Sequence, residues 1–234
     1  MNILVFNQKG GVGKTTTALN LGAGLSRTGD APVLLVDLDP QTHLTASLGY
    51  QAEEQKWNVS DWLAGQGHHP LEIGNKLSLV PGDYMPPASR DIKPAQLENT
   101  TLVIDAPPSW NNEVEVLMQA CDLVISPLEP EFLSMQGISR LLQRMQHHGI
   151  PWSKLRLLLC RYDDRLLIHR EVRARLVERF GRTILRCVIR KNIRLAEAPG
   201  QGLSIFDYAP YCLGALDYQE LTDSLLAEAK GRGR

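Results

Sequence analysis

The 234-residue sequence is short of most features that would place a chain in a membrane, a secretory route or a disulfide framework. No apolar run approaches the ~18 residues of a membrane-spanning helix. Met1 leads straight into "NILVFN", whereas a secretory leader needs a basic start, a longer apolar run and a cleavage site. The expectation is a cytoplasmic protein with no membrane partner. Cys121, Cys160, Cys187 and Cys212 are far apart and show no C-x-x-C spacing. Reduced, mostly buried thiols follow, and a zinc site does not. The pairs His68-His69 and His147-His148 stand without nearby Cys or regularly spaced acids, so surface loop and helix-end positions are their default. With no internal repeat and no low-complexity linker, residues 1–234 are expected to form a single domain.

Net charge is also scant, at −1, which taken alone argues against a nucleic-acid binder. Its distribution argues the other way. Pro151 to Leu195 holds thirteen Lys and Arg against four Asp and Glu, a net of +9, and the remainder carries −10. Such asymmetry suits one basic face that meets a polyanion. A solvated helix is the competing explanation, because "HREVRARLVERFGR" sets Arg and Glu at helical spacings.

Apolar runs alternate with helical patterns along the chain. "NILVFN", "PVLLVDLD", "KLSLVPG", "TTLVIDAPP", "CDLVISPLEP", "LRLLLCRYDD" and "RTILRCVI" read as strands. "TTTALNLGAGLSRTG", "EFLSMQGISRLLQRMQHHG", "IHREVRARLVERFG" and "GALDYQELTDSLLAEAKG" read as helices. Runs of Val, Leu and Ile are buried on both faces, so the fold class is α/β, with a mostly parallel, doubly wound sheet flanked by helices. Ligands of such sheets bind beyond the carboxyl ends of the strands. The stretch from Gln51 to Asn75 and the loop "PGDYMPPASRDIKPAQ" are expected to lie outside the core.

Polar chemistry gathers at those strand ends. "VFNQKGGVGKTTTALN" nearly matches the phosphate loop G-x-x-x-x-G-K-[ST], but Gln8 stands where its first glycine belongs, and Lys9 follows. Gly10, Gly11 and Gly13 allow backbone N–H groups to turn toward a phosphate, and the helix start adds its positive end. Lys14 suits β- and γ-phosphate oxygens, and the Thr15 hydroxyl suits Mg²⁺. Val12 and Thr16 complete the nucleotide-binding set of the loop. In "VDLDPQ", Asp37 and Asp39 end a strand, where an Asp orients water or fixes Mg²⁺ through water; capping the next helix is the alternative. "TLVIDAPPS" is a Walker-B-type strand whose Asp105 holds Mg²⁺ through Thr15 or a water. A second loop lysine is redundant if it points inward. Lys9 therefore reads as reaching the nucleotide of a second subunit in trans, against the plainer alternative of an exposed lysine.

"KGGVGKTT", "VDLDPQ" and "LVIDAPPS", in this order, resemble the deviant Walker A ATPases, and within them the ParA/Soj partition ATPases. "PLEPEFLSMQGISRLL" and "IRKNIRLAEAPGQGLSIFDYAPYCLGALDY" carry the likeness over nearly the whole chain. The resemblance implies ATP and Mg²⁺ as cofactors and a slow, partner-stimulated ATPase. It also implies an ATP-dependent sandwich homodimer in which Lys9 contacts the other protomer's phosphates. Lys14 is implied as the phosphate-loop lysine, Thr15 as the Mg²⁺ ligand, Asp39 as the residue that activates water and Asp37 as its support. Asn192 falls in the segment that helps hold adenine. The family binds DNA without sequence preference, so Arg186, Arg190, Lys191 and Arg194 become the DNA-binding candidates, with nucleoid association in the ATP-bound state. A ParB-like or other adaptor would link the dimer to a cargo: an origin, a microcompartment or a chemosensory cluster.

There are departures from the family pattern. Ile189-Arg190-Lys191-Asn192 replaces the usual Ile-Pro-Arg-Asn, and Tyr211 follows Ala209-Pro210 where members often carry Arg. No N-terminal helix-turn-helix extension is expected. Two alternatives remain: a membrane-surface regulator of the MinD kind, and a small-molecule P-loop enzyme. The first needs an apolar amphipathic end, and the last eight residues hold no large apolar side chain.

Overall fold

The computed structural model describes residues 1–67, 69–84, 92, 99–132 and 134–232. The first strand, β1 (Asn2–Val5), sends Ile3 and Val5 to one face and Leu4 and Phe6 to the other, and all four side chains are buried. Burial on both faces is what a central parallel strand requires. The chain then runs through α1 (Lys14–Thr28), β2 (Val33–Asp37), α2 (His43–Ser47), α3 (Val59–Leu63), β3 (Leu71–Gly74), β4 (Leu77–Val80) and β5 (Thr101–Asp105). It continues with α4 (Asn112–Ala120), β6 (Leu123–Leu128), α5 (Ser134–His147), β7 (Leu155–Tyr162), α6 (Leu167–Phe180) and β8 (Ile184–Arg190). Short helices α7 (Arg194–Glu197) and α8 (Ile205–Tyr208) lead to the long α9 (Leu213–Arg232).

The eight strands form one sheet in the order β3-β4-β2-β5-β1-β6-β7-β8. All neighbours are parallel except β3 and β4. One face packs on α1, α8 and α9 through Leu19, Leu21, Phe206, Tyr218 and Leu221. The other packs on α3, α4, α5 and α6 through Trp62, Leu117, Leu141 and Leu176. Where α1 crosses β2 the approach is close: a Cβ on Gly22 would lie 2.3 Å from Leu35 Cδ2.

One expectation needs correction. The Gln51–Asn75 stretch is not peripheral, since Val59, Trp62 and Leu63 of α3 are fully buried in the core. An Asn58 capping box with Asp61 starts that short helix, and its apolar side faces the sheet. The same stretch holds β3, an antiparallel edge strand of alternating burial. The other expected peripheral segment, "PGDYMPPASRDIKPAQ", lies largely outside the described residues.

Candidate functional site

The strand order places the carboxyl ends of β2, β5 and β1 side by side. Asp37 and Asp105 are register partners across β2 and β5, and Val5 pairs with Asp105. The loop between β1 and α1 is therefore suspended over both acids. Asn7 anchors its start, donating from Nδ2 to the Pro127 carbonyl at 2.8 Å and accepting the Lys9 N–H on Oδ1 at 2.9 Å. Gly11 (φ 76°) and Gly13 (φ 95°) adopt left-handed backbone, and Gly13 caps α1. A side chain at either is strained, which explains glycine there. Gly10, Val12 and Thr16 complete the turn, Val12 buried and Thr16 half-buried.

Lys14 and Lys9 part company. Lys14 is 7% exposed, and its Nζ lies 3.4 Å from the Lys9 carbonyl, with Asp105 and Asp39 as its nearest negative charges. Burial lowers its pKa despite those acids. Lys9 is half exposed at the loop tip and pairs with Glu131 at 2.7 Å. Its ammonium does not fold back toward its own loop's interior.

The acids are distributed by role. Thr15 Oγ1 donates to Asp105 Oδ2 at 2.7 Å, while Asp105 Oδ1 is buried with no partner among the described residues. Burial, with Asp37 nearby, pushes the Asp105 carboxyl well above its usual range. Asp37 Oδ2 accepts from the Thr45 N–H at 2.8 Å and the Thr45 hydroxyl at 2.6 Å, and its Oδ1 is also without a partner among the described residues. Its carboxyl is pushed up to about 6, chiefly by burial. Thr45 Oγ1 in turn accepts the Gly82 N–H at 2.8 Å, so Asp37 ties α2 and the loop after β4 to the sheet. Asp39 is nearly buried, and its Oδ1 accepts the Gln41 N–H at 3.0 Å.

Two orphaned carboxylate oxygens beside a threonine hydroxyl and a buried lysine form a donor set suited to a hard cation with phosphate. Among the described residues no cluster of three or more His, Cys, Asp or Glu is arranged to hold a metal ion by itself. Mg²⁺ takes one or two protein oxygens and keeps waters and phosphate oxygens as its other ligands.

Beside the loop lies a cavity of about 580 Å³. Val12, Gly13 and Thr16 form its phosphate-loop side, and Arg190, Lys191 and Asn192 stand among the residues of its other wall. Three of the basic candidates are thus divided: Arg190 and Lys191 line this cavity, while Arg186 is exposed on edge strand β8 outside its lining. Arg190 is bound to Asp217, and Arg194 pairs with Glu197 at 2.8 Å. Tyr211 is 94% exposed.

Residues 3–205 match the model of the CobQ/CobB/MinD/ParA nucleotide binding domain. The chain belongs to this family. It is 36% identical over 248 residues to the chromosome-partitioning ATPase Soj of Thermus thermophilus, covering 97% of this chain and 96% of that protein. It is 30% identical over 257 residues to the chromosome partitioning protein ParA of Caulobacter vibrioides, covering 98% and 95%. In structure it is similar to cobyrinic acid a,c-diamide synthase of Mycobacterium smegmatis, solved with an ATP analogue and magnesium, at 27% identity and a TM-score of 0.76. That match covers 100% of this chain and 96% of the other. The fold expectation holds, as does the resemblance to partition ATPases. Among the described residues no helix is long and apolar enough to cross a membrane.

Thr45 had no place in the motif-level expectations, and Asn7 figured only as the polar residue that ends the first apolar run. Thr45 lies eight residues from Asp37 in sequence, and nothing in that spacing announces the contact.

Proposed function

We propose that this chain is an ATPase that dimerises on ATP, binds DNA without sequence preference and positions a cargo through partner-stimulated hydrolysis. The observation that carries it is the division of labour between two lysines of one loop: Lys14 buried beneath it, Lys9 exposed at its tip. A single-subunit phosphate site uses the first and has no need of the second. Lys9 would serve a nucleotide across a dimer interface once it leaves Glu131.

In this reading, ATP fills the 580 Å³ cavity with its triphosphate under the glycine loop and its base toward Asn192. Thr15 and Asp105 would hold Mg²⁺, whose chemistry there would be the neutralisation of phosphate charge. Lys14 contacts phosphate oxygens of its own subunit. Asp39 orients the attacking water, and Asp37 holds the surrounding backbone through Thr45. Similarity to the chromosome-partitioning proteins Soj and ParA supports partitioning as the activity. A ParB-like or other adaptor would be the partner, and the dimer would be cytoplasmic and nucleoid-associated.

The DNA-facing surface is read from the basic segment. Arg190 is committed to a buried carboxylate, whereas the exposed Arg194–Glu197 pair contributes little and yields easily. Arg186, Lys191 and Arg194 therefore stay as the first contacts to test, joined by the exposed Arg170 and Arg175 of α6.

Retention of the protein on nonspecific DNA, measured with Mg-ATP and with Mg-ADP over a salt series, tests this function. Binding is expected only with ATP, the logarithm of its constant falling linearly with the logarithm of salt as counterions are released. ATP-independent or absent retention contradicts the DNA claim. Sedimentation with anionic vesicles instead would favour the membrane-surface regulator, and turnover on a small-molecule acceptor the metabolic enzyme.

A further inference from the structure

The cavity wall opposite the phosphate loop is fixed by an ion pair that lies in no nucleotide motif. Asp217, near the start of α9, has a side chain only 3% exposed. Arg190, the last residue of β8, meets its carboxylate twice over. The Arg190 backbone N–H donates to Oδ2 at 2.8 Å, and the guanidinium donates from Nε to Oδ1 at 2.9 Å and from Nη2 to the same oxygen. One buried carboxylate thus holds both the main chain and the side chain of one residue. Proline, which the family pattern favours at this point, has no N–H to give to such a bond.

The neighbouring residue on α9 faces the other side of the same cavity. Tyr218 is fully buried and lines the cavity, and its hydroxyl lies 3.2 Å from Thr17 Oγ1, two residues beyond Thr15. One turn of α9 therefore touches the phosphate-loop helix through Tyr218 and the opposite wall through Asp217. Asp217 is not itself a lining residue, but Arg190, Lys191, Asn192 and Ile193 all are.

We propose that Asp217 is a positioning residue of the nucleotide site: its clasp on Arg190 sets the Arg190–Ile193 segment against the base. The inference rests on the cavity being a nucleotide site. Asp217 acts at the base end, so its loss should weaken a ligand that has a base and spare one that consists of phosphates alone. A charge-assisted, two-pronged contact of this kind is strong enough for its disruption to cost about tenfold in affinity.

The test compares binding of a fluorescent N-methylanthraniloyl ATP and of inorganic tripolyphosphate, with Mg²⁺, to the full chain and to Asp217→Asn and Arg190→Lys. Asparagine keeps the size and one acceptor of Asp217; lysine keeps the charge of Arg190 but not its fork. Both variants are expected to bind the ATP analogue about tenfold more weakly, with faster release, and tripolyphosphate within about twofold of wild type. Unchanged ATP affinity overturns the proposal, and so does an equal loss for both ligands, which would mean a general loss of stability. Failure of the wild-type chain to bind the ATP analogue contradicts the nucleotide reading itself, a different result from wild-type binding that the variants match.

Discussion

Asp37→Asn should stabilise the nucleotide-free protein at neutral and alkaline pH, even though Asp37 stands in the nucleotide motif. Its carboxyl is fully buried, and its pKa rises from an ordinary 3.8 to about 6. The native state therefore binds this proton more tightly than the unfolded chain does. Between about pH 4 and pH 6 the native state holds more protons, so stability falls as pH rises through that window and stays reduced above it. A carboxyl moved from 3.8 to about 6 costs the fold up to about 3 kcal/mol at pH 8. Asparagine carries no charge to desolvate and keeps one oxygen for the Thr45 N–H and hydroxyl. Thermal melts without nucleotide or Mg²⁺ should show the variant higher by about 6–12 °C at pH 8. The gap should close as pH falls toward 4. A variant that melts lower at pH 8, or a gain that does not shrink with acid, refutes the reasoning.

Lys9→Ala should leave binding of an ATP analogue by the monomer within a few-fold (~2–3) of wild type while abolishing dimerisation and stimulated hydrolysis; equal loss of all three would return Lys9 to its own subunit's pocket. Gly22→Ala should lower stability by about 1–3 kcal/mol in urea titrations despite alanine's better helix propensity, because its Cβ would sit 2.3 Å from the buried Leu35. Thiol titration at pH 8 should find one reactive cysteine in the native protein, the half-buried Cys212, and four after unfolding. Burial pushes the Cys121, Cys160 and Cys187 thiols up to about 12, so fast reaction of any of these three would contradict their environments.

Much of the fold was legible in seven largely apolar runs, because central strands buried on both faces leave no polar alternation to confuse them. β3 escaped for the converse reason: at an edge, Leu71 and Ile73 alternate with exposed neighbours over four residues, too short a pattern to separate from a turn. Trp62 is fully buried, yet it lies in a five-residue helix whose period cannot be read from sequence. The phosphate loop was legible since its glycines answer local backbone geometry, at Gly11 and Gly13. The Thr45 contact to Asp37 and the Asp217 contact to Arg190 were not, since both depend on which elements the sheet order brings together. Charge counting found a basic segment but not which of its arginines are already paired.

Light scattering on Asp39→Ala protein with Mg-ATP tests the central claim most directly. If Asp39 orients the attacking water as proposed, hydrolysis should stop in this variant while Lys9, Lys14 and Thr15 remain to hold the nucleotide. The account predicts a stable particle of twice the 26.1 kDa chain mass with ATP, and a monomer with ADP. A particle that remains monomeric with saturating Mg-ATP would contradict it.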